Sequence, residues 1–295
     1  MCRERLATPA VWGHVCKRLI RPHGQREAVE VVVRTHFLQY AKAAAAGILF
    51  VATSAAAAEV DATAKYLISL SGTNIATATI RLSDTGTRYA MALDARITGL
   101  AQLVASGIAK VDSAGLSNGS ELVSEKFDLL TRASGEDFTV AIEYASRDVT
   151  AFVVTPPLIN NIDRVALERK HLRGVNDMLA AFVLKGGTLD RSLCSRRMQI
   201  FTGLERFNVS MQFAREDEAT SKRTGYQGPV VLCNIRYTPV SGHFTTSEIT
   251  NYLADSDRIL IWYAPLAAPG YYIPYRVLLT TSVGDLSMVL SELQQ

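Results

Sequence analysis

A chain of 295 residues with 48% hydrophobic and 20% charged residues is long enough to bury a sizeable core without metals and too apolar to be disordered. Its net charge of +3 comes from one end: residues 1–58 hold 8 Lys/Arg and 3 Asp/Glu, leaving 23 basic and 25 acidic residues beyond them. A slightly acidic remainder without a basic run excludes the clustered cations that nucleic-acid binding requires.

The N-terminal stretch reads as an export signal. From Phe37 the sequence FLQYAKAAAAGILFVATSAAAA follows Arg34 and places Lys42 ahead of an apolar run, Ala43 to Ala52, that ends in small residues. The order basic, apolar, small is that of a secretory signal over residues 34–58 with a cut between Ala58 and Glu59. A membrane anchor fits less well, because the run is shorter than the roughly 20 residues a spanning helix needs. Residues 1–33 precede the signal by an unusual distance and read as an extension from a misassigned start. The expected division is therefore 1–33 extension, 34–58 signal peptide, and 59–295 a single β-rich periplasmic domain without a transmembrane span.

Export changes how the cysteines read. Cys2 and Cys16 fall in the leader, so Cys194 and Cys233 are an even pair in an oxidising compartment and favour a disulfide. The loop of about 40 residues would contribute roughly 3–4 kcal/mol in the chain-entropy model. Two buried thiols or a metal pair are the competing readings, and no Cys or His lies near enough to suggest a zinc set. No cofactor is expected.

Along the mature chain the dominant signal is period-two alternation. Ala76, Ala78, Ile80 and Leu82 alternate with Ile75, Thr77, Thr79 and Arg81; Tyr89, Met91 and Leu93 come next, then Phe138, Val140, Ile142 and Tyr144. The clearest case sets Phe207, Val209, Met211 and Phe213 against Arg206, Asn208, Ser210 and Gln212. Such strands form an antiparallel sheet, apolar on one face. Ser83-Asp84-Thr85-Gly86 and Leu116-Ser117-Asn118-Gly119 read as solvated turns between them. Pro156-Pro157 ends a strand. Asp163 is placed to cap a short helix to Leu172, Asn176 to cap a second over Asp177 to Lys185, and Thr245 with Glu248 has capping-box spacing before a helix through Leu253. From Arg258 strands return, with Ile261 and Tyr263, then Ile273, Tyr275, Val277 and Leu279, expected on one face. Ten or so strands in one sheet cannot stay flat, so the expected fold is mainly β, a large curled sheet forming an open or closed barrel, with the middle helices plugging or covering its mouth.

Catalytic patterns are thin. Gly115-Leu116-Ser117-Asn118-Gly119 fits the nucleophile elbow G-x-S-x-G, but that motif belongs between a strand and a helix of a parallel sheet, and here Asn-Gly accounts for it as a turn. Asp84-Thr85-Gly86-Thr87 matches an aspartic-protease triplet in a single copy with polar neighbours, where the chemistry needs two. His243 follows Gly242 with no Asp, Glu or Cys at motif spacing and reads first as a turn residue. Arg206, Arg236 and Arg276 come from separate strands and read first as solvating an outer face, with an anionic headgroup as the functional alternative.

The stretch Gly225 to Phe244, GYQGPVVLCNIRYTPVSGHF, carries Tyr226-x-Gly228 ahead of Cys233 and then Tyr237-x-Pro239-x-x-Gly242-His243. With Gly203-Leu204-Glu205-Arg206-Phe207 upstream and Ile273-Pro274-Tyr275-Arg276-Val277 downstream, it resembles a family of exported Gram-negative proteins called domain of unknown function 3108, over roughly residues 64–290. The resemblance implies a β-rich envelope domain with no assigned chemistry. The expected function is a non-enzymatic periplasmic envelope protein binding a hydrophobic or lipidic ligand, or a lipidated protein, in its curved sheet, with Arg206, Tyr237 and His243 as ligand-binding candidates. An envelope-polymer hydrolase using Ser117 or His243, and a scaffold for another envelope protein, are the alternatives.

Overall fold

Fourteen strands carry the described residues, and those at Val60–Leu70, Gly107–Ser117 and Glu136–Ala145 bury every second side chain over much of their length, which is what a pleated strand with one covered face does. The computed structural model describes residues 59–103, 106–158, 162–281 and 284–295. The expected extension, signal peptide and Ala58 lie outside the described residues.

The first seven strands are β1 (Val60–Leu70), β2 (Thr73–Asp84), β3 (Arg88–Ile97), β4 (Gly107–Ser117), β5 (Leu122–Ala133), β6 (Glu136–Ala145) and β7 (Asp148–Thr155). A middle segment follows, with helix α1 (Met178–Phe182) and the two-residue strand β8 (Leu184–Lys185). Then come β9 (Arg197–Phe201), β10 (Arg206–Ala219), β11 (Gly228–Ser241), helix α2 (Glu248–Asp255), β12 (Ile259–Pro265), β13 (Tyr271–Thr281) and β14 (Gly284–Gln294). Every strand pairing is antiparallel, in the order β7-β6-β5-β4-β3-β2-β1-β14-β13-β12-β11-β10-β9, with β8 added on β13. The meander is possible because the links are tight. Ser71-Gly72, Ser134-Gly135 and Ser146-Arg147 each hold two successive positive φ angles, the conformation whose twist matches a two-residue hairpin.

Strands β7 and β9 are the two edges of this ladder, and twist brings them together. Phe152 of β7 meets Phe201 of β9 edge-on at 5.3 Å, and the Tyr144 hydroxyl donates to the Phe201 carbonyl. Val175 donates to the Arg147 carbonyl while Asn176 exchanges backbone bonds with Gln199 and Phe201, so two residues of the middle segment strap one edge to the other. The result is a curled, open barrel whose seam is held by side chains and a strap, not by a closed ladder.

Its interior is filled. Tyr66, Phe127, Ile142 and Leu290 are buried in one apolar cluster with Leu179 and Val183 of the middle segment. Val209, Met211, Tyr263 and the disulfide sulfurs are buried in a second, with Ala181 and Leu184.

The helices differ from expectation. No helix starts at Asp163, which has φ +64° and gives its carbonyl to the Thr245 N–H; only a single 3-10 turn, Arg169–Leu172, forms there. The cap of α1 is Asp177 rather than Asn176, and the helix stops at Phe182 because Leu184 and Lys185 pair with β13. Helix α2 is capped by Ser247, whose hydroxyl accepts from the Thr250 N–H, rather than by Thr245. A register shift between Trp262 and Tyr263 also splits the face expected for β13: Ile261 and Tyr263 join one cluster with Val277, whereas Ile273 and Tyr275 join the other.

Candidate functional site

The two turns expected to be solvated are exposed for the most part, but one residue of each is buried and anchors the middle segment. Asp84 is fully buried at the end of β2, and Ser117 is buried at the end of β4. Lys185 of β8 reaches between them: its ammonium donates to the Ser117 hydroxyl and to Asp84 at 3.3 Å, and Ser117 donates to Asp84. The Tyr271 hydroxyl donates to Asp84 at 2.7 Å and the Gly86 N–H at 2.6 Å. Burial pushes the Asp84 carboxyl up, but the bonds from Ser117, Tyr271 and Gly86, with the Lys185 charge, more than reverse it and hold it below the usual carboxylate range.

A second buried anchor sits at the start of the same segment. Asp177 accepts from the Leu179 and Ala180 N–H groups at 2.7 and 2.8 Å as the α1 cap, and from Ser113 at 2.7 Å. Ser124 lies against both Asp177 and the Asn176 side-chain carbonyl, and the Asn176 amide donates to the Leu122 carbonyl at 2.7 Å. Burial raises the Asp177 carboxyl despite these bonds. The middle segment is thus held at both ends by polar groups satisfied inside the barrel.

This geometry gives Ser117 partners that the sequence did not reveal, and it also fixes their chemistry. A serine nucleophile needs a neighbour that takes its proton. Asp84, and not a histidine, accepts from Ser117, Lys185 donates to it, and Ser117 is buried and lines none of the cavities described below. The first glycine of the elbow pattern has a local cause, whereas a Cβ on Gly119 would meet nothing within 4 Å. A Cβ on Gly115 would lie 2.0 Å from the Val123 carbonyl oxygen, at the register shift where β4 meets β5. Gly115→Ala should therefore cost about 1–3 kcal/mol by overpacking, read from the urea midpoint; an unchanged midpoint would refute that close approach.

The concave apolar feature lies at the seam. Beside the β7 edge a cleft of about 510 Å³ is lined by Phe152, Val154, Leu158, Val165, Leu167 and Leu204, with Arg164 and Gly242 in its wall. It forms because Gly242, at φ +82°, lets the end of β11 touch the turn before β10, where a Cβ would lie 1.9 Å from the Leu204 carbonyl oxygen. The 162–167 segment then lies alongside, with Val165 and His243 paired through the His243 carbonyl at 3.0 Å. Two polar hollows differ in character: one of about 330 Å³ around Arg147, Arg196 and Asn176, and a groove of about 730 Å³ around Arg197, Ser210 and Arg236.

Of the three expected ligand residues, Arg206 opens β10, Tyr237 lies within β11 and His243 follows it, and none of them lines the seam cleft. Arg206 is only 5% exposed, so it does not solvate an outer face; Nη2 donates to Gln199 at 2.6 Å and Nη1 to the Phe207 carbonyl, while Nε has no partner. Tyr237 packs its ring 5.1 Å from Phe207, and burial raises its hydroxyl to about 12. The Nδ1 of His243 is buried without a partner. Arg236 and Arg276 are exposed, the latter over the Trp262 ring. Cys194 and Cys233 are joined, with Cα atoms 5.5 Å apart and both side chains buried. Among the described residues no three His, Cys, Asp or Glu side chains gather as a metal-holding group, and no helix is long and apolar enough to cross a membrane. Sequence reasoning missed Arg164 and Lys185; the one signal for Lys185 was a cation set in the apolar run Val183-Leu184 before Gly186-Gly187.

Fold and cleft together define the class: an open, curled antiparallel β-sheet protein with a filled interior and an apolar cleft at its seam. The chain belongs to the family described as Protein of unknown function (DUF3108), which matches residues 65–291. A crystal structure described as a beta-barrel-like protein of domain of unknown function DUF1849 from Brucella abortus is 12% identical, with a TM-score of 0.44, over 80% of this chain and 97% of that one. No curated protein matches the chain.

Proposed function

We propose that this chain is a non-enzymatic envelope protein, exported to the periplasm, that holds a hydrophobic or lipidic ligand. The carrying observation is the seam cleft, whose volume of about 510 Å³ falls within the roughly 300–1,000 Å³ of small-molecule sites. The ligand site is the cleft and not the barrel lumen, since Tyr66, Phe127 and Tyr263 fill the lumen. Export is supported by the signal-like stretch at 34–58 and by the Cys194–Cys233 bridge.

The reading makes a graded prediction. Each methylene withdrawn from water contributes about 0.8 kcal/mol, so affinity for straight-chain amphiphiles should rise about fourfold per added carbon until the cleft is full, then level off. Displacement of a fluorescent fatty acid by a chain-length series measures it, and native mass spectrometry of the purified protein tests for retained lipid. Val154→Trp, which fills the cleft from β7, should weaken binding at least tenfold. Protein that retains no lipid and takes up no probe would refute the proposal.

A further inference from the structure

The cleft has a cation in its wall whose charge no carboxylate among the described residues answers. Arg164 is half-buried, lies 4.0 Å over the Phe244 ring, and donates through Nη1 to the Gly242 carbonyl. Its Nε is buried and has no hydrogen-bond partner. Neither Nε nor Nη2 has an acceptor among the described residues, and that edge is the fork that grips a carboxylate or phosphate with two parallel bonds. Burying a guanidinium donor without an acceptor is costly, so its persistence beside an apolar cleft points to a missing partner.

The neighbourhood repeats the pattern. Arg206, opposite Ser241 in the β10–β11 ladder, is buried with Nε unpartnered and no carboxylate in bonding reach, and the Ser241 hydroxyl beside it is also buried and unpartnered. His243, next to the Gly242 that Arg164 holds, keeps a buried Nδ1 without a partner. Of these groups Arg164 alone lines the cleft, and an uncharged hydrocarbon there would leave its Nε unanswered.

We infer that the cleft takes a single-chain anionic amphiphile, its hydrocarbon against Phe152, Val154, Leu158 and Leu204 and its carboxylate or phosphate head on the Arg164 fork. This rests on the cleft binding proposed above and adds the chemistry of the head. Arg164 is the specificity residue: it selects anion over neutral head without supplying the apolar contact.

The test compares dodecanoate, dodecyl phosphate and dodecanol on the full mature protein by probe displacement at pH 7.5 and low salt. The expected result is that at least one anion binds tenfold or more tightly than the alcohol, and that the gap narrows as salt rises. Which anion binds tighter tells a fatty acid from a phosphate-headed lipid. Arg164→Met, which keeps an apolar stem, should bring all three to within about twofold of one another, and Arg164→Lys should restore part of the gap. Equal binding of the three to the unaltered protein would overturn the Arg164 assignment and leave the cleft standing. Binding of none would overturn the cleft itself. The comparison on unaltered protein needs no variant to fold.

Discussion

Asp84→Ala is expected to lower the unfolding free energy by roughly 3–5 kcal/mol at pH 7, the cost of leaving a buried charge without its partner. The alanine removes the carboxylate that accepts from Ser117, Tyr271, Gly86 and Lys185, and it leaves the Lys185 ammonium, only 9% exposed, without a counter-charge. The double variant Asp84→Leu/Lys185→Met should recover most of that loss, because an apolar pair of similar volume replaces a buried ion pair at little cost. Chemical denaturation at pH 7 measures both, and a single-variant loss under 1 kcal/mol would show that the pair does not hold the middle segment. The pH dependence follows from the lowered carboxyl. Its contribution is fully present above the ordinary value of 3.8 and is lost as pH falls through the lower folded value. The stability gap between the parent and Asp84→Ala should therefore close in acid below about pH 4 and stay constant from there to neutrality.

The same anchor shows why some of the protein was readable in the sequence and some was not. Alternation along Phe207 to Phe213 and Phe138 to Tyr144 is local, each side chain deciding its face from its nearest neighbours, and both strands formed as read. Asp84 and Ser117 sit at strand ends among polar residues, so local reasoning places them in water. They are buried because Lys185, 101 residues from Asp84 in sequence, arrives on a segment that enters the barrel. A bulge is equally silent: one extra residue at Tyr275 moves Ile273 to the face opposite Tyr263, and no composition signal marks it. Arg206 has an outward position in the alternation and is nonetheless covered, since Gln199 of the neighbouring strand closes over it. Arg164 belongs to a segment with no period, and its meaning comes from Gly242 and Phe244 alongside it. Fold class and disulfide rest on patterns; the cleft and its cation rest on which distant loops meet at the seam.

The second large effect is expected at the disulfide. Cys194→Ala/Cys233→Ala should cost about 4 kcal/mol, the chain-entropy value for a separation of 39 residues, and lower the melting temperature by about 8–16 °C for a domain of this size. That is a large share of a total that for most domains is about 5–15 kcal/mol. The bridge ties the short turn after β8 to the centre of β11, and both sulfurs lie in the cluster with Ile200, Val209 and Tyr263. Its removal therefore frees the C-terminal end of the middle segment while Asp177 still holds the N-terminal end. Loss at this site and at Asp84 should be less than additive, because both act on the same segment. Calorimetry on the two variants and their combination reads the coupling, and alkylation of the mature protein unfolded in denaturant without reductant reads the bridge directly, with no mass gain expected. Full additivity would mean that the segment is not one unit. A gain of two alkyl groups would mean that Cys194 and Cys233 are free thiols, and with it the strongest chemical support for an oxidising compartment would be gone.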